Sequence, residues 1–170
     1  MKNLPNTLTF LRILLIPVFM FLYKTGYIYP AAAVFAAASL TDWADGFIAR
    51  KYDLVSVLGK FADPLADKLL VSAALFCLVE NNIVSAWAAM LIIAREFIVT
   101  GLRIVAISSG TVIPAGFWGK VKTVTQLICV LSALIIGGEM ITDILIYITI
   151  FVTVFSGGLY FYQNRKLFLI

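Results

Sequence analysis

Six stretches of almost unbroken apolar residues govern what this chain can fold into. They run from Leu8 to Tyr23, Ile28 to Ile48, Leu65 to Val79, Val84 to Ile107, Val121 to Ile136 and Ile141 to Tyr162. Each approaches the roughly 20 residues that a helix needs to cross a bilayer. None alternates polar and apolar with period two, which excludes a membrane barrel and leaves helices. Together they occupy most of 170 residues, so only short connections remain, with no room for a separate soluble domain. The expected fold is all-α: one domain over residues 1–170, an integral membrane bundle of six transmembrane helices. With 62% apolar and 13% charged residues, the chain carries more apolar surface than a soluble domain of this length can bury. Pro17 inside the first run predicts a kink, which neighbouring helices tolerate in a membrane. Tyr23 to Gly26 offer no small-x-small cleavage site, so the first run reads as a retained helix and not a signal peptide.

Lys and Arg in the short connections set the orientation. With the N-terminus cytoplasmic, Lys2, Arg12, Arg50, Lys51, Lys60, Lys68, Arg103, Lys120, Lys122, Arg165 and Lys166 fall on or near that side, and Lys24 alone falls clearly outside. Both termini are therefore expected in the cytoplasm, and the net charge of +4 on the face where anionic lipid headgroups attract it. Bases dispersed over helix ends do not make a nucleic-acid surface. The absence of histidine removes the usual triads and most zinc sites. Cys77 and Cys129, each alone in an apolar run, read as small core or lipid-facing residues.

The acids are the exception to this apolar plan. Of nine carboxylates, Asp42 and Asp45 stand three apart and Asp63 and Asp67 four apart, beside two membrane segments. Those spacings place each pair on one helix face. An acid at a membrane helix centre costs about 2.5 kcal/mol or more, so such residues are functional candidates. Four converging carboxylates repel one another unless a cation joins them. With oxygen ligands only, the preferred ion is hard: Mg²⁺, Mn²⁺ or Ca²⁺. The competing explanation pairs these acids with Arg50, Lys51, Lys60 and Lys68 at the membrane surface. Gly46 and Ala49, on the face shared with Asp42 and Asp45, allow close approach of a helix or a ligand. Asp63 followed by Pro64 predicts a helix start, with its positive end available to an anion.

From Asp42 to Asp67 the chain reads D-W-A-D-G-F-I-A-R, eight further residues, then G-K-F-A-D-P-L-A-D. This resembles the signature of the CDP-alcohol phosphotransferases, D-x-x-D-G-x-x-A-R-x8-G-x-x-x-D-x-x-x-D, at all eight fixed positions. The resemblance implies transfer of a phosphatidyl or related phosphoryl group from a CDP-linked donor to an alcohol, with release of CMP. It implies that Asp42, Asp45, Asp63 and Asp67 hold divalent metal, Mg²⁺ or Mn²⁺ as two ions, on the donor's pyrophosphate. Asp67 would also deprotonate the attacking hydroxyl. Gly46 and Ala49 would leave room for the cytidine, with Arg50 and Gly59 at its entrance. Asn6, Thr9 and Arg12 in P-N-T-L-T-F-L-R would bind the nucleotide end, or else form a helix cap and an interfacial anchor. A homodimer is implied as well.

The signature does not name the alcohol, and the second half of the chain bears on it. Arg95 and Arg103 fall within the fourth apolar run, and Lys120 and Lys122 open the fifth in G-K-V-K-T. Arginines in a membrane helix are expensive unless they face a polar site or an anion. An acceptor with its own phosphate supplies that anion, whereas choline, serine or free inositol does not. Alternatively Arg95 pairs with Glu96 or the acid cluster, and the two lysines are positive-inside anchors. The P-N-x-L-T-x-x-R start and the G-K-x-K-T segment resemble the branch of the family with CDP-diacylglycerol as donor and sn-glycerol 3-phosphate as acceptor. Competing readings are another acceptor (inositol phosphate, phosphatidylglycerol or serine) and, from a different class, a divalent-cation transporter. The transporter is disfavoured because the acids cluster near one face and the outer half of the bundle offers few polar residues to continue an ion path.

Overall fold

A computed structural model describes the backbone over residues 4–52, 57–108, 113 and 116–165, and the side chains over 9–41, 65–107, 113 and 116–165. Among the described residues there are six helices and no strand: α1 Leu4–Lys24, α2 Ile28–Tyr52, α3 Val57–Glu80, α4 Ala86–Ser108, α5 Phe117–Ile136 and α6 Met140–Asn164. They form two compact units, Met1–Asn81 and Asn82–Ile170.

In the first unit α1 packs against both α2 and α3. The contact is made by Phe19 and Tyr23 of α1, the small residues Ala31, Ala32 and Ala38 of α2, and Ala66, Ala73 and Ala74 of α3, all buried. Alanines let helix backbones approach closely, which is how helices associate where lipid is as apolar as their side chains. Phe19 fills the remaining gap against Phe35, with ring centroids 5.7 Å apart. The turn from α1 to α2 is closed by Gly26 at φ +83°, with Gly26 N–H donating to the Tyr23 carbonyl and Tyr27 N–H to the Leu22 carbonyl. This paired pattern needs a left-handed residue, which glycine supplies without Cβ strain. At the same end Lys24 reaches Glu80 at 3.0 Å, and the hydrogen bond holds the exposed Lys24 ammonium above its ordinary pKa. The pairing brings together two segments that the charge pattern assigns to one side.

The helices overrun the apolar runs. α1 starts at Leu4 and continues through Pro17. α2 extends past Ile48 to Tyr52. α3 starts at Val57, so residues 63 and 64 lie inside it, and the expected helix start at Asp63 is corrected. A proline here removes one N–H, leaving the carbonyl of residue 60 without its intrahelical partner, but the flanking turns hold the helix together. Hydropathy falls where charges begin, whereas backbone hydrogen bonding does not stop there.

In the second unit α6 packs against both α4 and α5. Ser85 caps α4, its hydroxyl accepting from Ala88 N–H at 3.2 Å. Gly137, at φ +81°, makes the turn between α5 and α6. The buried positions on α6 include Thr142, Ile146, Thr149, Thr153, Ser156 and Tyr160, a repeat of four and three residues. On α5 they include Lys122, Gln126, Cys129 and Ala133 with the same repeat. Large apolar residues between them on α6 face outward, Tyr147 at 73% exposed and Phe151 at 69%, while Val152 is buried with the row. Ser132 lies 3.4 Å from Thr142, and Thr149 donates to the Thr125 carbonyl at 3.4 Å. This buried row supplies more polar groups between helices than the hydropathy pattern implied. Cys77 and Cys129 are free thiols and buried, as expected of small packing residues. Among the described residues α5 and α6 are long and apolar enough to cross a membrane, and Ile28–Thr41 is a shorter apolar segment.

Candidate active site

The signature residues divide between two helices of the first unit that touch each other. Asp42, Asp45, Gly46, Ala49 and Arg50 belong to α2, and Gly59, Asp63 and Asp67 to α3. Asn6 belongs to α1. Of these, Asp67 alone has a described side chain; the side chains of the others lie outside the described residues. Asp67 is partly exposed, and its Oδ2 lies 3.9 Å from Lys68 Nζ, outside hydrogen-bond range. Among the described residues no three metal-ligating side chains cluster.

Thr9 and Arg12, three apart on one face of α1, are both buried. Arg12 Nε donates to the Ala38 carbonyl at 3.2 Å, and the Thr41 hydroxyl donates to the same oxygen at 2.8 Å. Ala38 lies one helical turn before Asp42, so this knot pins α2 just ahead of the signature.

In the second unit Arg95 and Arg103 of α4 line one cavity of about 400 Å³ with Ser156 and Tyr160 of α6 and the start of α5. Arg95 Nη2 donates to the Ser156 hydroxyl at 3.1 Å. The Arg103 guanidinium lies over the Tyr160 ring, 5.7 Å from its centroid. Arg95 passes directly over Gly157, where a Cβ would come within 3.3 Å of its Cγ. A glycine there is what lets the long side chain cross α6. Glu96 lies 3.6 Å from Arg95 Nη1, yet its carboxylate is in closer contact with Lys122 Nζ, which is fully buried. Lys122 thus compensates the nearby acid, and among the described residues no carboxylate lines the cavity. Two guanidiniums in such a lining have the chemistry to take an anion.

The family model for CDP-alcohol phosphatidyltransferases matches residues 2–155. The chain belongs to the CDP-alcohol phosphatidyltransferase family. It is 44% identical to the CDP-diacylglycerol–glycerol-3-phosphate 3-phosphatidyltransferase of Bacillus subtilis (strain 168), over 96% of each chain. It is 39% identical to the enzyme of the same name from Rickettsia felis, over 98% of each. A probable phosphatidylglycerophosphate synthase of Mycobacterium tuberculosis (strain H37Rv) is 42% identical over 75% of this chain and 64% of the relative.

For a CDP-alcohol phosphatidyltransferase the distribution of the remaining basic residues is informative. Arg95 and Arg103 come together, whereas Lys120 is exposed and Lys122 is buried against Glu96, both outside the cavity lining. The Arg95–Glu96 pair weighed from adjacency is present, but weaker in geometry than Lys122–Glu96. Sequence reasoning missed Ser156, Gly157 and Tyr160. Their signal was the four-and-three repeat of hydroxyl residues on α6, which a hydropathy scan averages away.

Proposed function

We propose that this membrane enzyme transfers the phosphatidyl group from CDP-diacylglycerol to sn-glycerol 3-phosphate, giving phosphatidylglycerophosphate and CMP. The observation that carries the acceptor assignment is the cavity with Arg95 and Arg103 in its wall and no acid among its described lining residues, in a chain whose full-length relatives bear that enzyme's name. A neutral alcohol such as inositol would leave the two guanidiniums without an anion, and serine would bring its own ammonium along with a single carboxylate, so neither supplies net negative charge.

Asp67 is the acceptor's base in this reading. Its carboxylate takes the proton of the 1-hydroxyl as that oxygen bonds to the phosphorus bearing the diacylglycerol; the bond from this phosphorus to the CMP oxygen breaks, and CMP leaves. Asp42, Asp45, Asp63 and Asp67 would hold two divalent ions, Mg²⁺ or Mn²⁺. The fit rests on a donor set made only of carboxylate oxygens, on two touching helices, and on the partial exposure of the Asp67 carboxylate. When bound, such ions neutralise the pyrophosphate and stabilise the leaving oxygen. Gly46, Ala49, Arg50 and Gly59, with Asn6, Thr9 and Arg12, form the donor side. Arg95 and Arg103 hold the acceptor's phosphate, with Lys120 adding to the positive field and Lys122 keeping Glu96 from opposing it.

Placement follows the same reading. Six helices cross the bacterial cytoplasmic membrane as one domain with both termini in the cytoplasm, acyl chains stay in lipid, and the acceptor arrives from the cytoplasm. The outward apolar faces of α4, α5 and α6 support a lipid environment, and a homodimer is part of the proposal.

The test is CMP release from CDP-diacylglycerol by the purified chain in detergent micelles, with sn-glycerol 3-phosphate, inositol, inositol phosphate, serine and phosphatidylglycerol as acceptors. Turnover is expected with sn-glycerol 3-phosphate, lost on chelation and restored by Mg²⁺ or Mn²⁺. Turnover confined to any other acceptor overturns the assignment.

A further inference from the structure

We infer that the Tyr160 hydroxyl is a third donor to the acceptor's phosphate, beside Arg95 and Arg103. The inference rests on the reading of the cavity as the acceptor site, and it adds a group that motif and charge reasoning did not include.

Tyr160 is only 9% exposed and lines the cavity. Its hydroxyl is buried and has no hydrogen-bond partner among the described residues. Buried tyrosine hydroxyls normally find a partner, because an unmade hydrogen bond in an apolar setting is costly. The Nε atoms of Arg95 and Arg103 share this condition: buried, on side chains lining the same cavity, and without a partner among the described residues. Three unmatched donors in one cavity, with no carboxylate among the described residues of its wall, call for an acceptor-rich anion. A phosphate monoester dianion meets that need, since its three terminal oxygens accept and none must donate.

The ring has a second task. Its face lies under the Arg103 guanidinium, which fixes the phenol relative to that cation. The rest of α6 near Tyr160 adds nothing anionic to the described lining: Leu159, Gln163 and Asn164 contribute apolar and amide groups. The site is therefore selective for charge through its arginines and for the tetrahedral anion's third oxygen through the phenol.

Tyr160→Phe keeps the ring under Arg103 and removes only the hydroxyl. In the purified full chain we expect the KM for sn-glycerol 3-phosphate and the Ki for inorganic phosphate, as competitor, to rise together by about tenfold, the loss typical of a hydrogen bond to a charged group. The KM for CDP-diacylglycerol and the melting temperature should not move. Unchanged KM and Ki in Tyr160→Phe, or a rise in KM with an unchanged phosphate Ki, overturns the inference. Arg103→Gln separates the two levels. If it raises both constants while Tyr160→Phe raises neither, the phenol contact alone fails; if it also raises neither, the acceptor-site reading fails with it.

Discussion

Among the described residues, and apart from Thr9 and Arg12, the first unit buries alanine, leucine and phenylalanine with Tyr23 and Cys77, whereas the second adds to its buried apolar residues Lys122, Gln126 and a row of hydroxyls from Thr142 to Ser156. Both expose large apolar side chains: Phe21 and Leu14 in the first, Trp87 and Tyr147 in the second. Neither unit can therefore owe its cohesion to burying more apolar surface than it shows. The first gains close backbone contact through small residues; the second joins helices through polar groups that have no better partner in hydrocarbon. This difference matches the division of labour in the proposed reaction. A donor whose acyl chains lie in lipid suits a unit with an apolar interior, and a soluble phosphorylated acceptor needs buried cations that only a polar interior sustains.

The comparison can be broken at several points. The largest effect is expected at Asp67: Asp67→Asn should lower kcat by about 10²–10⁴-fold while the acceptor KM and melting temperature stay put, measured by CMP release at saturating substrates. Full turnover would remove Asp67 as base and with it the assignment of chemistry to the first unit. Next is Lys122→Met, which takes the nearest cation from the largely buried Glu96 and leaves it only the longer contact to Arg95, and it should cost about 3–5 kcal/mol in denaturation in mild detergent. Adding Glu96→Gln should recover most of that loss, and no recovery would mean the pair is not what holds α4 to α5's charge. Leu70→Ala in the first unit removes a fully buried side chain and should cost about 2–5 kcal/mol.

Smaller effects sharpen the contrast. Gly157→Ala pushes a Cβ against the Arg95 stem and is expected to raise the sn-glycerol 3-phosphate KM by about threefold with the donor KM unchanged. A larger change in donor KM would show that the cavity is not confined to the acceptor. Thr149→Val, in the hydroxyl row, should cost only about 0.6 kcal/mol, as membrane hydrogen bonds between helices usually do. A loss as large as that of Leu70→Ala would mean that the polar row, not backbone proximity, dominates cohesion throughout.

How much of this was legible in the residues varies by kind. The six helices were, because a run such as Ile141 to Tyr162 has no other way to satisfy its backbone in lipid. The start of α3 was not: Asp63–Pro64 looks like a cap, but the seven residues from Val57 to Asp63 are already helical. The acids were visible as a signature, since their cost in a membrane leaves little but function to explain them. Arg95 and Arg103 were visible for the same reason. Ser156, Gly157 and Tyr160 were not, because a serine, a glycine and a tyrosine near a helix end are each unremarkable until a cation is seen resting on them.

The sequence by itself determined the helical class, the family signature and the presence of costly charges in apolar surroundings, since these depend on spacing along one chain and on transfer energies of single residues. Which face of α6 turns inward, that Lys122 answers Glu96, and that two arginines share a cavity with a tyrosine were decided by the tertiary structure alone. A helix that is apolar all round has no intrinsic inner side. Only contact with its neighbours chooses one, and here they chose the side that carries the hydroxyls.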